Sequence, residues 1–559
     1  MSKDNTQKEQ HIKRSDTAFL MQGSLLAAAS IISRIVGLVY RIPMTAIIGK
    51  RGNDFYGTAF SIYNIMLIIS SYSIPLAVSK LVATRVAKKE FKNAFRVLKG
   101  SLLFATLTGG TAALVMWFGA DYFTGTMLKT PLAVLAVKVL SPVVFIVAIL
   151  GVFRGFFQGL NTMKPSALSQ VIEQIVNAFV SVTAAFVLVD YGSRAGAVLM
   201  DREGIRAAYG AAGGTLGTAA GAMTALFVMF VIFLVMGGRF KKRLLRDHSK
   251  NKLRYMSLAG LLVITIIPVL LSTTLYNIAS IANQGVFKNI AHLQHYDPKL
   301  VSEWWGVYAG QFNVLINVPI SIASALAASS VPSLTTSFHE GDMPKVKRQI
   351  VTATRFIMII AFPCAVGMAV LGGPIMMLLF SDFDKISGNM MTIGAVAIVF
   401  FSLSTLTNGL LQGIDKMRIP VMNAAISLVL QTVVLVFLMM VFHLHIYEVV
   451  ITNAFYWLSM CFLNGRAVRK YAKTRQNIKR TYLIPLEASV VMGVAVFFAY
   501  RLLHTLTRSN AISCLMAIAV GAMVYFVVLV LMRGITEYEL KAFPKGEVLV
   551  ALAKKMHLM

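Results

Sequence analysis

Fourteen stretches of about twenty or more mostly apolar residues run the length of this 559-residue chain, and they leave few ways to fold. They lie at 17–40, 56–83, 100–120, 131–153, 167–190, 210–237, 256–281, 304–330, 352–380, 388–412, 420–442, 445–465, 481–503 and 510–532. About twenty apolar residues make a helix long enough to cross the hydrocarbon of a bilayer. Inside lipid every backbone polar group must be bonded internally, so runs of this length are helical. Composition agrees: hydrophobic residues are 57% and charged residues 14%, against roughly 45–50% and about 25% in soluble domains. A soluble domain, a disordered chain, a collagen and a disulfide scaffold are all excluded. The chain is predicted to be an all-α polytopic membrane protein with fourteen transmembrane helices.

Chemistry-bearing motifs are absent. The three cysteines, Cys364, Cys461 and Cys514, sit far apart in apolar runs without ligand spacing and read as small buried residues. His443 and His445 lie at a span end without further ligands, and a metal site needs three or four. No phosphate-binding Gly-rich loop, zinc-protease motif or nucleophile elbow occurs. No acidic pair stands in a loop with room for a sugar donor. The expectation is therefore a protein that is not an enzyme and has no cofactor or metal.

The net charge of +30 would suggest nucleic acid in a soluble protein. Its distribution says otherwise. With the N-terminus inside, the inner segments hold 37 of the 53 Lys and Arg and the outer loops 11. This is the positive-inside pattern, so both termini are expected in the cytoplasm of a bacterial plasma membrane. The basic segments then meet anionic membrane lipids, and no nucleic acid is required. The polar, basic segment 1–16 reads as a cytoplasmic tail rather than a signal peptide. The predicted organisation continues with an N-lobe at 17–238, a basic connector at 239–255 and a C-lobe at 256–465. A basic loop at 466–480, two more spans at 481–532 and a cytoplasmic tail at 533–559 complete it.

Two pieces of sequence recur. Asp54-Phe-Tyr-Gly57 opens the second span with Asn64 downstream, and Glu303-Trp-Trp-Gly306 opens the eighth with Asn313 downstream. Gly155-Phe-Phe-Gln158-Gly159-Leu-Asn161-Thr-Met163-Lys164 ends the fourth span. Gly409-Leu-Leu-Gln412-Gly413-Ile-Asp415-Lys-Met417-Arg418 ends the tenth. Matched spans are six apart, so the copies share one orientation. The reading is two parallel six-helix repeats with a site between them at mid-membrane, plus two extra helices. Pro75, Pro142, Pro268, Pro319 and Pro363 fall within spans and predict bends. Gly210, Gly213, Gly214, Gly217 and Gly221 on the sixth span form a small-residue packing seam.

These features resemble the multidrug/oligosaccharidyl-lipid/polysaccharide exporter superfamily. Within it the chain is similar to the MurJ-like lipid II flippases and to the stage V sporulation protein B and polysaccharide-biosynthesis group of the Gram-positive branch. Ser33-Arg34-Ile35-Val36-Gly37 in the first span and Gln158–Pro165 carry the likeness. The resemblance covers essentially the whole chain, including the last two helices, which twelve-helix drug antiporters lack. It implies a V-shaped pair of lobes around a cationic cavity that alternates between inward and outward openings. It implies a lipid-linked oligosaccharide as substrate, and a groove for the lipid tail along the two extra helices. Family members with further arginines on spans two and eight are matched here by Ser70 or Ser71 and by Gln311.

The residues themselves suggest where a site lies. A charge at mid-span costs about 2.5–3.5 kcal/mol on insertion scales and should face a cavity or a partner. Arg34 lies deep in the first span, Arg41 at its outer end and Lys80 near the inner end of the second. Guanidinium forks and an ammonium suit a diphosphate, so these three are the expected clamp. Asn277, Gln311, Asn313 and Asn317 are expected to meet sugar or peptide groups; helix–helix hydrogen bonding is the competing role. Glu173, in the fifth span, is either half of a local ion pair or an interfacial carboxylate, or else a group coupling transport to a proton, another monovalent cation or the membrane potential. The leading expectation is an alternating-access flippase for undecaprenyl-pyrophosphate-linked lipid II. The alternatives are a flippase for another polysaccharide or spore-cortex precursor, a cation-coupled drug exporter, and a non-transporting scaffold for cell-wall synthesis enzymes, the candidate protein partners.

Overall fold

In the computed structural model, residues 29, 32–33, 35–198, 200–245, 247 and 253–535 are described. Arg34 and residues 17–28 of the first span lie outside the described residues. The chain divides into two compact units, Met1–Gly306 and Val307–Met559. Among the described residues eleven helical stretches are long and apolar enough to cross a membrane, and no strand occurs. This is a multi-pass, all-helical membrane protein.

The first unit contains α1 (Arg41–Ser70), α2 (Ile74–Ala87), α3 (Phe91–Phe118), α4 (Val134–Gly159), α5 (Lys164–Val198), α6 (Arg202–Val235), α7 (Gly237–Leu245), α8 (Tyr255–Leu293) and α9 (Pro298–Val307). Two breaks shape its beginning. Gly49 has φ 70° and ψ −178° inside α1; a residue with a side chain adopts that conformation only with strain, so glycine makes the kink. The second span is interrupted at Ser71–Ser73, and Pro75 then sits in the first turn of α2. Pro75 therefore starts a helix rather than bending one, because its missing N–H is one that a first turn leaves unbonded anyway. Pro142 and Pro363 do lie inside helices.

In lipid, helices associate through close packing rather than hydrophobic burial. The glycine seam of α6 does this against α5. A Cβ at Gly213 would stand 2.6 Å from the Ala184 carbonyl, and one at Gly221 would stand 2.7 Å from that of Glu173. Ser181 Oγ donates to the Gly214 carbonyl at 2.8 Å across the same seam. Phe95, Phe156, Phe233 and Phe240 fill the space between α3, α4, α6 and α7, with ring centroids 5.4–6.4 Å apart. Such edge-on and tilted pairs add about 0.5–1.5 kcal/mol each.

The second unit contains α10 (Asn313–His339), α11 (Met343–Val370), α12 (Gly372–Phe380), α13 (Lys385–Gly394), α14 (Val396–Gly413), α15 (Arg418–Val441), α16 (Tyr447–Ala472), α17 (Ile484–Thr507) and α18 (Asn510–Leu531). A π-helical turn, Tyr308–Phe312, leads into α10. His443 and His445, both with positive φ, make the short turn between α15 and α16. The two C-terminal helices dock on α11: Tyr525 Oη donates to the Ile359 carbonyl at 2.7 Å, and Arg355 donates to that of Gly534 at 2.6 Å. An in-span arginine is thus occupied by a carbonyl just beyond α18.

The internal repeat is visible in packing. Gly155 on α4 meets Pro75 and Val78 of α2, and Gly409 on α14 meets Ala327 of α10. Both motifs then end their helix in the same way. Asn161 and Asp415 take the left-handed conformation, with φ 60° and 57°. The next N–H reaches back to Phe157 at 3.0 Å and to Leu411 at 2.9 Å. This is a Schellman-type cap, in which Asn and Asp tolerate positive φ better than most residues. Gln158 is half-buried, while Lys164, Gln412 and Arg418 are exposed. Gly159 and Gly413 pack against Val82 and Leu334.

Candidate substrate and coupling site

In the first unit, polar side chains link the segment just ahead of α1 to α5. Ser33 Oγ donates to the Gln170 carbonyl at 3.4 Å. Asn177 Nδ2 donates to Tyr40 Oη at 3.3 Å. Gln170, Gln174 and Asn177 are three to four residues apart, so they form one stripe of α5 along which the first span runs. Arg41 is half-buried, with its guanidinium 4.8 Å from the centre of the Tyr56 ring. Tyr56 is fully buried. Arg41 Nε and Tyr56 Oη are both buried without a hydrogen-bond partner. A cation–π contact steadies the arginine and leaves a donor unspent. An unmet buried donor costs about 1–3 kcal/mol and would be relieved by an anionic oxygen.

Glu173 is not alone. Arg154 of α4 donates to its Oε2 at 2.7 Å, and both side chains are about one-fifth exposed. Arg154 also donates to Ser169 Oγ at 3.0 Å. Hydropathy places Arg154 in a loop, just past the fourth apolar run; in the structure α4 continues through it to Gly159. The bare sequence could have found the pair only by setting Arg154 against the acidic residue nineteen positions on.

The remaining expected residues are dispersed. Lys80 is exposed on α2, and Asn277 is exposed on α8. Gln311 lies in the π-helical turn, 4% exposed, with Oε1 buried and unpartnered. Asn313 is half-buried. Asn317 is exposed and donates to the Asn313 carbonyl at 2.7 Å. Beside Gln311, Tyr308 Oη accepts from Asn453 Nδ2 at 2.6 Å. A π-helical turn often marks a functional position in a transmembrane helix.

A second buried polar node was not legible in the sequence. Lys288, assigned to an outer loop by hydropathy, lies in α8 and is 2% exposed. Its Nζ donates to Asp54 Oδ1 at 2.5 Å and to Thr130 Oγ1 at 2.6 Å. Ser302 Oγ donates to the other Asp54 oxygen at 2.7 Å, and Thr58 Oγ1 donates to Oδ1 at 3.2 Å. Gln284 Nε2 donates to Thr58 Oγ1 at 2.6 Å. Asp54 on α1 thus binds Lys288 of α8 and Ser302 of α9, all three within the first unit. No group of three or more metal-ligating side chains occurs among the described residues.

Comparison with known proteins places this arrangement. The family described as "Polysaccharide biosynthesis protein" matches residues 19–338. The chain is 25% identical over 526 residues to the lipid II flippase MurJ of Bacillus subtilis (strain 168), covering 90% of this chain and 94% of that protein. It is 32% identical over 187 residues to the stage V sporulation protein B of Bacillus subtilis (strain 168), covering 32% of this chain and 36% of that one. The solved lipid II flippase MurJ in an inward closed conformation shares the fold, with a TM-score of 0.63 and 13% identity over 90% of this chain and 97% of that one. The chain belongs to the polysaccharide biosynthesis protein family, and it is similar along most of its length to the lipid II flippase MurJ.

Proposed function

We propose that this protein is an alternating-access flippase that moves undecaprenyl-pyrophosphate-linked lipid II from the inner to the outer leaflet. The observation that carries this reading is the end-to-end match to lipid II flippase MurJ, over 90% of this chain and 94% of that one. Both termini lie in the cytoplasm in this reading, consistent with the basic residues concentrated in alternate segments.

The roles follow from the chemistry. Arg34 and Arg41, on the first span, supply guanidinium forks to the diphosphate, with Lys80 as a point charge nearer the inner end. Arg41 suits the task because its Nε already lacks an acceptor. Gln311, Asn313, Asn317 and Asn277 offer hydrogen bonds to sugar or peptide. Glu173 couples transport to a monovalent cation or to the membrane potential by exchanging Arg154 for the incoming charge. The bonds from Asp54 to Lys288 and Ser302 tie α1 to α8 and α9. Cell-wall synthesis enzymes are the proposed protein partners.

The test is complementation of bacteria depleted of their lipid II flippase. Wild-type protein should restore growth, Arg34→Ala and Arg41→Ala should not, and each variant's membrane abundance is measured in parallel. Full rescue by both variants overturns the clamp. Failure of abundant wild-type protein to rescue overturns lipid II as the substrate.

A further inference from the structure

A cavity of about 450 Å³ opens in the second unit among α11, α14, α16 and the segment that follows α16. Its size falls in the roughly 300–1,000 Å³ range of small-molecule sites. Leu403 and Val468 contribute to an apolar floor. Arg469 and Arg475 stand among its lining residues, both exposed, and no acidic residue lines it. Gln476, also in the lining, has its Oε1 buried without a hydrogen-bond partner. At Gly465 a Cβ would meet nothing within 4 Å, so the helix leaves that part of the cavity open.

The chemistry of the ligand follows from these groups. Two guanidiniums without a carboxylate among them select an anion, and their planar forks suit phosphate oxygens. An unmet buried carbonyl oxygen wants a donor, which a hydroxyl supplies. The apolar floor wants a hydrocarbon body. The 466–480 segment lies on the face that the basic-residue pattern assigns to the cytoplasm. We propose that this cavity is a binding site, separate from the proposed diphosphate clamp, for an amphiphilic phosphate ester carrying a hydroxyl group. An anionic phospholipid headgroup of the inner leaflet and a cytosolic phosphate ester both present that chemistry. The proposal does not depend on which substrate is transported.

The test uses the full chain in nanodiscs of neutral phosphatidylcholine, with the thermal unfolding midpoint as readout, because a ligand that binds only the folded state raises it. The probes are soluble dihexanoyl phosphatidylglycerol, glycerol 3-phosphate and inorganic phosphate. A parallel arm places long-chain phosphatidylglycerol in the nanodisc. Dihexanoyl phosphatidylglycerol should raise the midpoint saturably, with inorganic phosphate and glycerol 3-phosphate at least about tenfold weaker. Gly465→Leu, which fills open space, and Arg469→Ala/Arg475→Ala, which alters exposed side chains, should each weaken that binding at least about tenfold. Protection by the long-chain lipid as well assigns the bilayer as the source. Protection by the soluble probe without it assigns the cytosol, and either outcome supports the site. Equal shifts in wild type and both variants, no shift with any probe, or equal potency of inorganic phosphate overturns the proposal.

Discussion

Replacing Lys288 by Met keeps most of the side-chain volume and removes the ammonium that bonds Asp54 and Thr130. Asp54 and Lys288 are almost wholly buried. Deleting one member of such a pair costs about 3–5 kcal/mol, because the other charge stays buried without its partner. Asp54 would keep Ser302 at 2.7 Å and Thr58 at 3.2 Å, so the expected loss lies at the lower end, about 3 kcal/mol. Asp54→Leu should cost more, since Lys288 would keep only Thr130. Replacing both removes both charges and should cost less than the two single changes together. The coupling energy should be at least about 2 kcal/mol in a double-mutant cycle of denaturant unfolding in mixed micelles. Additivity of the two changes to within about 0.5 kcal/mol would refute the claim that the pair acts as one buried unit.

Other outcomes follow from the same structure. Gly213→Leu should collapse membrane abundance, because its side chain would enter the Ala184 backbone, whereas Gly465→Ala should leave it unchanged or higher by removing a helical glycine worth about 1 kcal/mol. Glu173→Gln should leave the protein folded, since the amide still accepts a bond from Arg154, and under the proposed coupling role it should make transport insensitive to cation gradient or potential; a sensitivity equal to that of wild type removes Glu173 from coupling. In the loop between α2 and α3, Glu90 accepts from Asn93 at 3.0 Å and from Arg85 at 3.1 Å. These bonds, Asn93's first, hold its carboxyl below the usual range. Its small stabilisation is then present above the unfolded value of about 4.3 and is lost as pH falls through the lower folded value. Glu90→Gln should flatten that part of the acid unfolding curve, and an unaltered curve would contradict the assignment.

Much of this fold was legible because lipid imposes a local rule. Apolar runs of sufficient length must be helices, and the glycine seam of α6 shows a helical period that only close packing explains. The repeat was legible too, although its physical meaning, a shared left-handed cap at Asn161 and Asp415, needed backbone angles. Hydropathy failed where helices outrun their apolar stretch. Arg154 and Lys288 both fell just beyond an apolar run and looked like loop residues. Their roles come from Glu173 and Asp54, and the latter lies 234 positions away from Lys288. No periodicity within one helix records such a partner. The break at Ser71–Ser73 had a signal in Pro75, but one proline reads equally as a bend or as the start of a new helix.

The most direct test of the central claim is transbilayer movement of lipid II by the purified protein. Proteoliposomes would carry fluorescent lipid II, and its accessibility from outside would be followed after an impermeant quencher is added. Wild-type protein should expose lipid II from the inner leaflet, Arg34→Ala and Arg41→Ala should slow that exposure at least about tenfold, equivalent to about 1.4 kcal/mol, and undecaprenyl phosphate without the sugar-peptide head group should not compete. Movement no faster than in protein-free liposomes, with the protein folded and correctly inserted, would contradict the account.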